Sequence, residues 1–403
     1  MRLCAFLVHW MQELPKTAFA KRLPTSAILF FVSTKNQKDA LSHLAEAVPG
    51  SVMAGEKCDV PFRFPLFWAY SLAPLFLPSL LWSYLHANPY QRRAFRYVAD
   101  IYLLTYGYYV VARSCVRRAT PGCVVNANDH TMQNRVMTQV AQESKIPTVY
   151  VQHASVTDKF PPLSCDVALL EGLDALRKYE KRGSTRTRVY LIGMPKADAY
   201  VTALNRSATV RRVGICCNML DDENHVEQLC RLLSTQLPDL QIVLRPHPSD
   251  RRRLPLWGEM ARNSELSYSN PTTENALDFL TSIDALIAGE SNIHLEAALL
   301  DVYPLYFAFS GKLFDWYGFL KNGVVEHFAN ADELCEKLKN LSTEKPPIRE
   351  RCKPYCHTVG TQFDGQSTRL ARELIEALAT RQPVPNSMWQ PLKPASMHAF
   401  EPR

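Results

Sequence analysis

Arg245-Pro246-His247-Pro248 closes the apolar run Gln241-Ile242-Val243-Leu244, and Gly289-Glu290-Ser291-Asn292 closes Ala285-Leu286-Ile287-Ala288. A basic or imidazole group near a helix start that carries a hydroxyl is an anion site: the helix N–H groups and the hydroxyl donate, and the cation neutralises. His247 is stiffened between two prolines, and with Ser291 it forms the leading pair for holding a phosphate. Arg245 lies close by and Asn292 shares the helix start. Glu290, or Glu296 further along the same helix, has the chemistry to hold a ribose hydroxyl.

Other apolar runs also end in reactive groups. In Asn126-Ala127-Asn128-Asp129-His130, Asp129 either caps the following helix or enters a cleft as general acid or base. Gln152-His153-Ala154 places His153 where a strand meets a loop, suited to substrate hydroxyls or carboxylates, with Gln152 beside it. Glu171 follows the run ending at Leu170. Lys196, in Gly193-Met194-Pro195-Lys196, is placed to meet an anionic donor or acceptor. Asn218-Met219-Leu220-Asp221-Asp222 offers paired acids, which either cap a helix or supply a carboxylate nucleophile that the helix dipole keeps ionised.

These groups need a scaffold that delivers strand ends to one edge. Short apolar runs alternate with helix-like stretches over most of the chain, the pattern of βαβ units. Strands are expected at 2–9, 27–32, 123–126, 148–152, 167–170 and 189–192 in the first half. After a polar linker at 202–212 they resume at 213–217, 241–244, 266–269, 285–288 and 302–307. Helices are expected at 131–144, 223–236, 273–282, 331–341 and 368–380. The reading is an α/β protein of two Rossmann-like domains facing across a cleft, at 1–205 and 206–380, with a tail at 381–403. No GxGxxG follows the first strand, which disfavours a dinucleotide fold.

The 403 residues suit two domains, and 47% hydrophobic with 21% charged residues is a globular composition. A formal charge of +7 fits anionic substrates or an anionic membrane surface, and no nucleic-acid module is present. Eleven scattered cysteines without CxxC read as reduced buried thiols in a cytoplasmic protein, with no zinc spacing and no metal site expected. Residues 62–85 are aromatic and aliphatic with three internal prolines, which argues against one straight membrane span. They read either as packed helices or as a peripheral membrane or partner surface, supported by Arg92, Arg93 and Arg96 downstream.

Taken together, the His247-Pro248 pair, the Ser291 motif and the Gly-Glu-Ser-Asn-x-x-x-Glu-Ala helix resemble the glycosyltransferase B (GT-B) fold. Within it they are similar to bacterial enzymes that use CMP-activated sugars, the sialyltransferases and Kdo transferases. The segments from Gln152-His153-Ala154 through Lys159-Phe160-Pro161 to Gly193-Met194-Pro195-Lys196 resemble capsule and lipopolysaccharide assembly enzymes. The nearest likeness is to retaining β-Kdo transferases. The single acid in Leu170-Glu171-Gly172 departs from the acidic pair of the sialyltransferases. The resemblance implies a donor-binding C-terminal domain, with His247 and Ser291 on the CMP phosphate and Asn292, Glu290, Arg245 and Lys196 around the nucleotide sugar. It implies Asp221, or Asp222, as nucleophile, Asp129 as the acceptor's base, and His153, Gln152 and Glu171 near acceptor or sugar. No cofactor is implied beyond the donor, CMP-Kdo or another CMP-sugar, and the partners are that nucleotide sugar and a glycan acceptor, with contact at the inner face of the cytoplasmic membrane. A sialyltransferase, sugar-nucleotide epimerase, polyol-phosphate transferase or non-catalytic glycan-assembly scaffold are the alternatives.

Overall fold

The computed structural model describes residues 2–56, 59–183, 185–384 and 387–403. Strands run in chain order as β1 (Ile28–Val32), β2 (Ser51–Gly55), β3 (Phe62–Arg63), β4 (Cys123–Asn126), β5 (Thr148–Val151), β6 (Val167–Leu170), β7 (Arg188–Leu191), β8 (Arg212–Cys217), β9 (Gln241–Pro246), β10 (Ser267–Tyr268), β11 (Ala285–Ala288), β12 (Tyr303–Phe307), β13 (Glu326–Phe328), β14 (Trp389–Pro391) and β15 (His398–Pro402). The helices are α1 (Arg2–Thr17), α2 (Lys35–Ala47), α3 (Leu66–Leu72), α4 (Leu77–His86), α5 (Pro89–Ala119), α6 (Met132–Glu143), α7 (Leu173–Glu180), α8 (Glu223–Gln236), α9 (Leu254–Asn263), α10 (Ala276–Thr281), α11 (Ile293–Leu299), α12 (Ala331–Thr343) and α13 (Ser367–Ala379).

Two sheets form, in the orders β14-β15-β7-β6-β5-β4-β1-β2-β3 and β10-β9-β8-β11-β12-β13, parallel throughout except for the β14–β15 pair. Short runs buried on both faces cannot satisfy their backbone groups except by pairing, and helix crossovers make that pairing parallel. In each sheet the order reverses beside its first strand, between β1 and β4 and between β8 and β11. Those are the switch points where an α/β sheet opens a crevice at its carboxyl edge. The two Rossmann-like units expected from the sequence are therefore present.

Two expectations are corrected and one alternative is resolved. Residues 2–9 belong to helix α1, not a strand. Phe6, Trp10 and Thr17 share the helical i, i+4, i+11 face, and Phe6 and Thr17 are buried. Trp10 stacks on Phe67 of α3 at 5.9 Å. A boundary at residue 380 does not describe the chain either. Helix α13 returns to the first sheet, where Leu370, Leu374 and Ile375 join the core of Phe30 and Val125, and the tail adds β15 beside β7. The return crossing is pinned at the hinge. Asp198 accepts from the Ser367 and Thr368 N–H groups at 3.1 and 2.6 Å, and Gly193 (φ 78°) lets the Thr358 and Ser367 side chains approach where a Cβ would collide. Within residues 62–85, Phe62–Arg63 form β3, and α3, a 3-10 turn at Ala73–Phe76 and α4 follow, the packed-helix alternative for α3.

Candidate active-site cleft

In the second sheet, β8 lies between β9 and β11, so the loop carrying Asp221 is flanked by His247 on one side and by Ser291 on the other. The loop is tightly built. Asp221 accepts the Asn218 N–H at 2.7 Å, and Arg253 donates to the carbonyls of Asp221 and Asn218, each at 2.9 Å. Gly289 closes β11 against it, since a Cβ there would sit 2.9 Å from Asp221 Oδ1. Burial pushes the Asp221 carboxyl up to about 6, with the Asn218 N–H and Arg253 resisting and Asp250 adding to the rise. Asp222 is the exposed N-cap of α8, accepting from Asn224 and His225 N–H at 2.9 and 3.2 Å. Between the paired acids, Asp221 is the buried one, set against Gly289 at the end of β11.

His247 is half-buried, and its Nδ1 accepts the Ser249 N–H at 3.1 Å. The acceptor role at Nδ1 leaves the ring proton on Nε2, the nitrogen available as a donor. Burial lowers its basicity, and nearby Arg245 adds to that while Asp250 opposes it. The ring is therefore neutral at pH 7. Ser291 Oγ accepts weakly from Ile293 N–H at 3.4 Å, at the start of the short helix α11.

Arg245 is corrected as a nucleotide ligand. Its guanidinium donates to Ser269 Oγ at 2.5 Å and to the Glu274 carbonyl at 2.9 Å, pairs with the Glu274 carboxylate at 3.3 Å, and lies over the Phe279 ring at 5.0 Å. A buried guanidinium is costly without such partners, so the residue braces the 269–275 loop. Glu290 accepts the Trp316 N–H at 2.9 Å; it fastens the loop after β12 rather than standing open to a ribose.

The facing edge of the first sheet supplies a buried polar cluster. Glu171 is buried; its N–H donates to Gln152 Oε1 at 2.9 Å, and its Oε2 accepts from Gln152 Nε2 at 3.2 Å. Gln152 thus positions Glu171 instead of contacting sugar. Burial pushes the Glu171 carboxyl up to about 8; Lys196 counteracts this and Glu296 reinforces it. Lys196 donates to Glu296 Oε1 at 2.5 Å, joining hinge to α11. Burial opposes the Lys196 charge, yet Glu296 and Glu171 together hold its basicity above the ordinary value. Asn292 makes a second bridge between domains, accepting the Ser155 N–H at 3.1 Å. His153 falls to about 4, through burial first and Lys196 second, so its imidazole is neutral, and its buried Nδ1 has no hydrogen-bond partner among the described residues.

Asp129 is not a cap: Asn128 Oδ1 takes the His130 and Thr131 N–H groups at 2.9 and 2.8 Å. Both Asp129 oxygens are engaged, with Tyr179 OH at 2.8 Å and His130 Nδ1 at 3.1 Å. His130, bonded to Asp129 and exposed, has the Phe160 ring 4.6 Å away. Sequence reasoning included His130 in its motif without assigning it a role; the adjacent Asp-His pair was the available signal. It missed His294, fully buried and bonded through Nε2 to the Gly289 carbonyl at 2.9 Å, for which no local signal exists. Among the described residues no group of acidic, His and Cys side chains is arranged to hold a metal ion.

No protein family and no curated protein matches this chain by sequence. Solved structures do match in fold. The Neisseria meningitidis UDP-GlcNAc 2-epimerase bound to UDP-GlcNAc superposes with a TM-score of 0.56 at 11% identity, covering 87% of this chain and 99% of that one. The calicheamicin glycosyltransferase CalG4 gives 0.53 at 9% identity, covering 88% and 99%. The wall teichoic acid polymerase TagF gives 0.52 at 12% identity, covering 89% and 90%. The GT-B architecture is shared with all three.

Proposed function

We propose that this chain is a nucleotide-sugar-dependent glycosyltransferase, with a CMP-sugar, first of all CMP-Kdo, as donor and a bacterial surface polysaccharide as acceptor. The carrying observation is the convergence of strand ends: Asp221 follows β8, with His247 after the neighbouring β9 and Ser291 after the neighbouring β11, and the Ser249 N–H on His247 Nδ1 leaves Nε2 as the ring's donor. A leaving phosphate gains most from donors already oriented before charge develops.

In this reading His247 Nε2–H and the Ser291 hydroxyl donate to the donor phosphate. Asp221, ionised at neutral pH with its carboxyl near 6, attacks the anomeric carbon as the phosphate departs with the bonding pair. His130 then takes the acceptor hydroxyl proton, held in orientation by Asp129, while the acceptor oxygen displaces Asp221 from the anomeric carbon. Two displacements retain the configuration. Glu171, protonated at pH 7 and buried, and His153, neutral and with a buried Nδ1, lie behind the acceptor side of the cleft and shape its polarity. The charge on the phosphate falls to protein donors in this scheme.

Product mass spectrometry with CMP-Kdo and with UDP-sugars tests the donor. Release of CMP with a glycosylated acceptor supports the proposal, and turnover of UDP-sugars alone overturns it. CMP binding should weaken at least tenfold in His247→Ala, because a charge-assisted donor to phosphate contributes about 1.5–3 kcal/mol.

A second reading rests on a separate observation. Glu171 is held protonated beside the Lys196–Glu296 ion pair, an arrangement suited to moving a proton on and off a sugar carbon, as an epimerase does. Deuterium incorporation from D2O into a UDP-sugar, without any acceptor, would select it.

A further inference from the structure

Helix α4 has no buried residue, although its sequence is Leu-Pro-Ser-Leu-Leu-Trp-Ser-Tyr-Leu-His. Leu81, Trp82 and Leu85 are 60%, 65% and 64% exposed, and Leu77 is 46% exposed. Soluble surfaces scatter such residues singly, whereas contiguous apolar patches mark an interaction face. The support beneath is firm. Ala69 of α3 and Ala73 beyond it are buried against Gly107 of α5, so close that a Cβ on Gly107 would come within 2.0 Å of the Ala69 carbonyl oxygen. The bare helix is therefore held out on a rigid mount.

Charge on this segment is one-sided. Residues 60–99 contain four arginines, Arg63, Arg92, Arg93 and Arg96, and neither Asp nor Glu. Arg92 donates to the Leu85 carbonyl at 2.7 Å and to the Tyr84 carbonyl at 3.3 Å, and Arg96 to the Tyr84 hydroxyl at 3.3 Å. The guanidinium groups thus rim the α4 end that carries Trp82 and Leu85, with Tyr90 and Tyr97 exposed beside them. Aliphatic and Trp side chains on one helix, with Arg and Tyr along its border, match the layers of a bilayer interface. The stretch Leu66–His86 is long enough to span, with a mean hydropathy of 1.3. Its first part is packed on α5, however, and a turn at Ala73–Phe76 separates α3 from α4, a geometry that suits lying along a surface better than crossing.

We propose that α4 and the first turns of α5 dock the protein on an anionic lipid bilayer. Leu77, Leu81, Trp82 and Leu85 enter the acyl boundary, and Arg92, Arg93 and Arg96 meet lipid phosphates. This holds for any sugar donor and does not depend on the reading above. A protein partner or a second copy of this chain would be expected to supply acidic groups and bind in solution, and the test separates these cases.

Flotation of the full-length chain with phosphatidylglycerol-containing and with pure phosphatidylcholine vesicles is the experiment. Binding to the anionic vesicles should exceed binding to the zwitterionic ones and decline with salt. Arg93→Gln with Arg96→Gln should weaken it about fivefold per charge removed. Leu81→Glu with Trp82→Glu should abolish it. Circular dichroism of both variants should be unchanged, because the altered side chains are exposed. Equal binding to both vesicle types, anionic binding that survives Leu81→Glu with Trp82→Glu, or absence of vesicle binding with self-association abolished by that variant would each overturn the proposal.

Discussion

Replacing Glu171 by Gln removes a carboxyl that the cleft keeps protonated at neutral pH. Its folded value of about 8 stands above the reference 4.5, with burial the leading cause. The sign follows from proton counting. Between pH 4.5 and 8 the folded state binds the proton and the unfolded state releases it, so stability falls as pH rises through that window. Relative to acid pH, where both states are protonated, the loss is about 3 kcal/mol at pH 7 and about 5 kcal/mol above pH 9, at 1.36 kcal/mol per unit. Glu171→Gln has the same shape, can still accept from Gln152 Nε2, and carries no such loss. The variant should therefore match the parent at pH 4 and exceed it progressively toward pH 9. With a urea m-value of about 3 kcal/mol/M, the unfolding midpoint at pH 7 should move up by roughly 1 M. A difference between the two proteins that is independent of pH would refute the reasoning, because it would mean that Glu171 is already ionised in the fold. Under the transferase reading the same variant loses turnover while gaining stability, the trade expected where a functional group is kept in a destabilising buried environment.

Two further substitutions probe the wall of the crevice. Gly289→Ala pushes a methyl against Asp221 Oδ1, whose carboxylate is held in place through Oδ2 by the Asn218 N–H, and should cost about 1–3 kcal/mol in chemical denaturation. Combining it with Asp221→Ala should cost less than the sum of the single changes, and strict additivity would show that the two residues do not touch. Arg253→Met strips the donors from two loop carbonyls and breaks the pair with Asp250 at 2.7 Å. It should lower stability by about 2–4 kcal/mol and weaken nucleotide binding in calorimetry, whereas an unchanged melting curve would remove Arg253 as the brace of the Asp221 loop.

Local pattern carried much of this architecture. Short apolar runs ending in polar groups announced the buried parallel strands, and their ends told which residues reach the carboxyl edges: Asp221, His247, Ser291, His153, Glu171 and Lys196. That information is local because strand period and chain direction are local. Helix α1 was misread because its apolar run was judged over eight residues, too short to separate a strand from a helix face that extends to Thr17. The return of α13 to the first sheet was invisible because its amphipathic face is equally suited to either domain, and its packing against Phe30 and Val125, with the Asp198 cap at the hinge, decides between them.

What the tertiary structure alone decided is the charge state and occupation of each reactive group. Arg245 and Gln152 had the right chemistry for a ligand, yet Glu274 and Glu171 claim them from distant segments. Glu171 is an ordinary acid in sequence; burial, reinforced by Glu296 and opposed by Lys196 from two other elements, keeps it protonated at pH 7. The sequence determined by itself which chemistry arrives at the cleft edge, since that depends on residue type and strand period. The fold determined which of those groups stay open, because desolvation and pairing arise only from residues that are far apart in the chain and close in space.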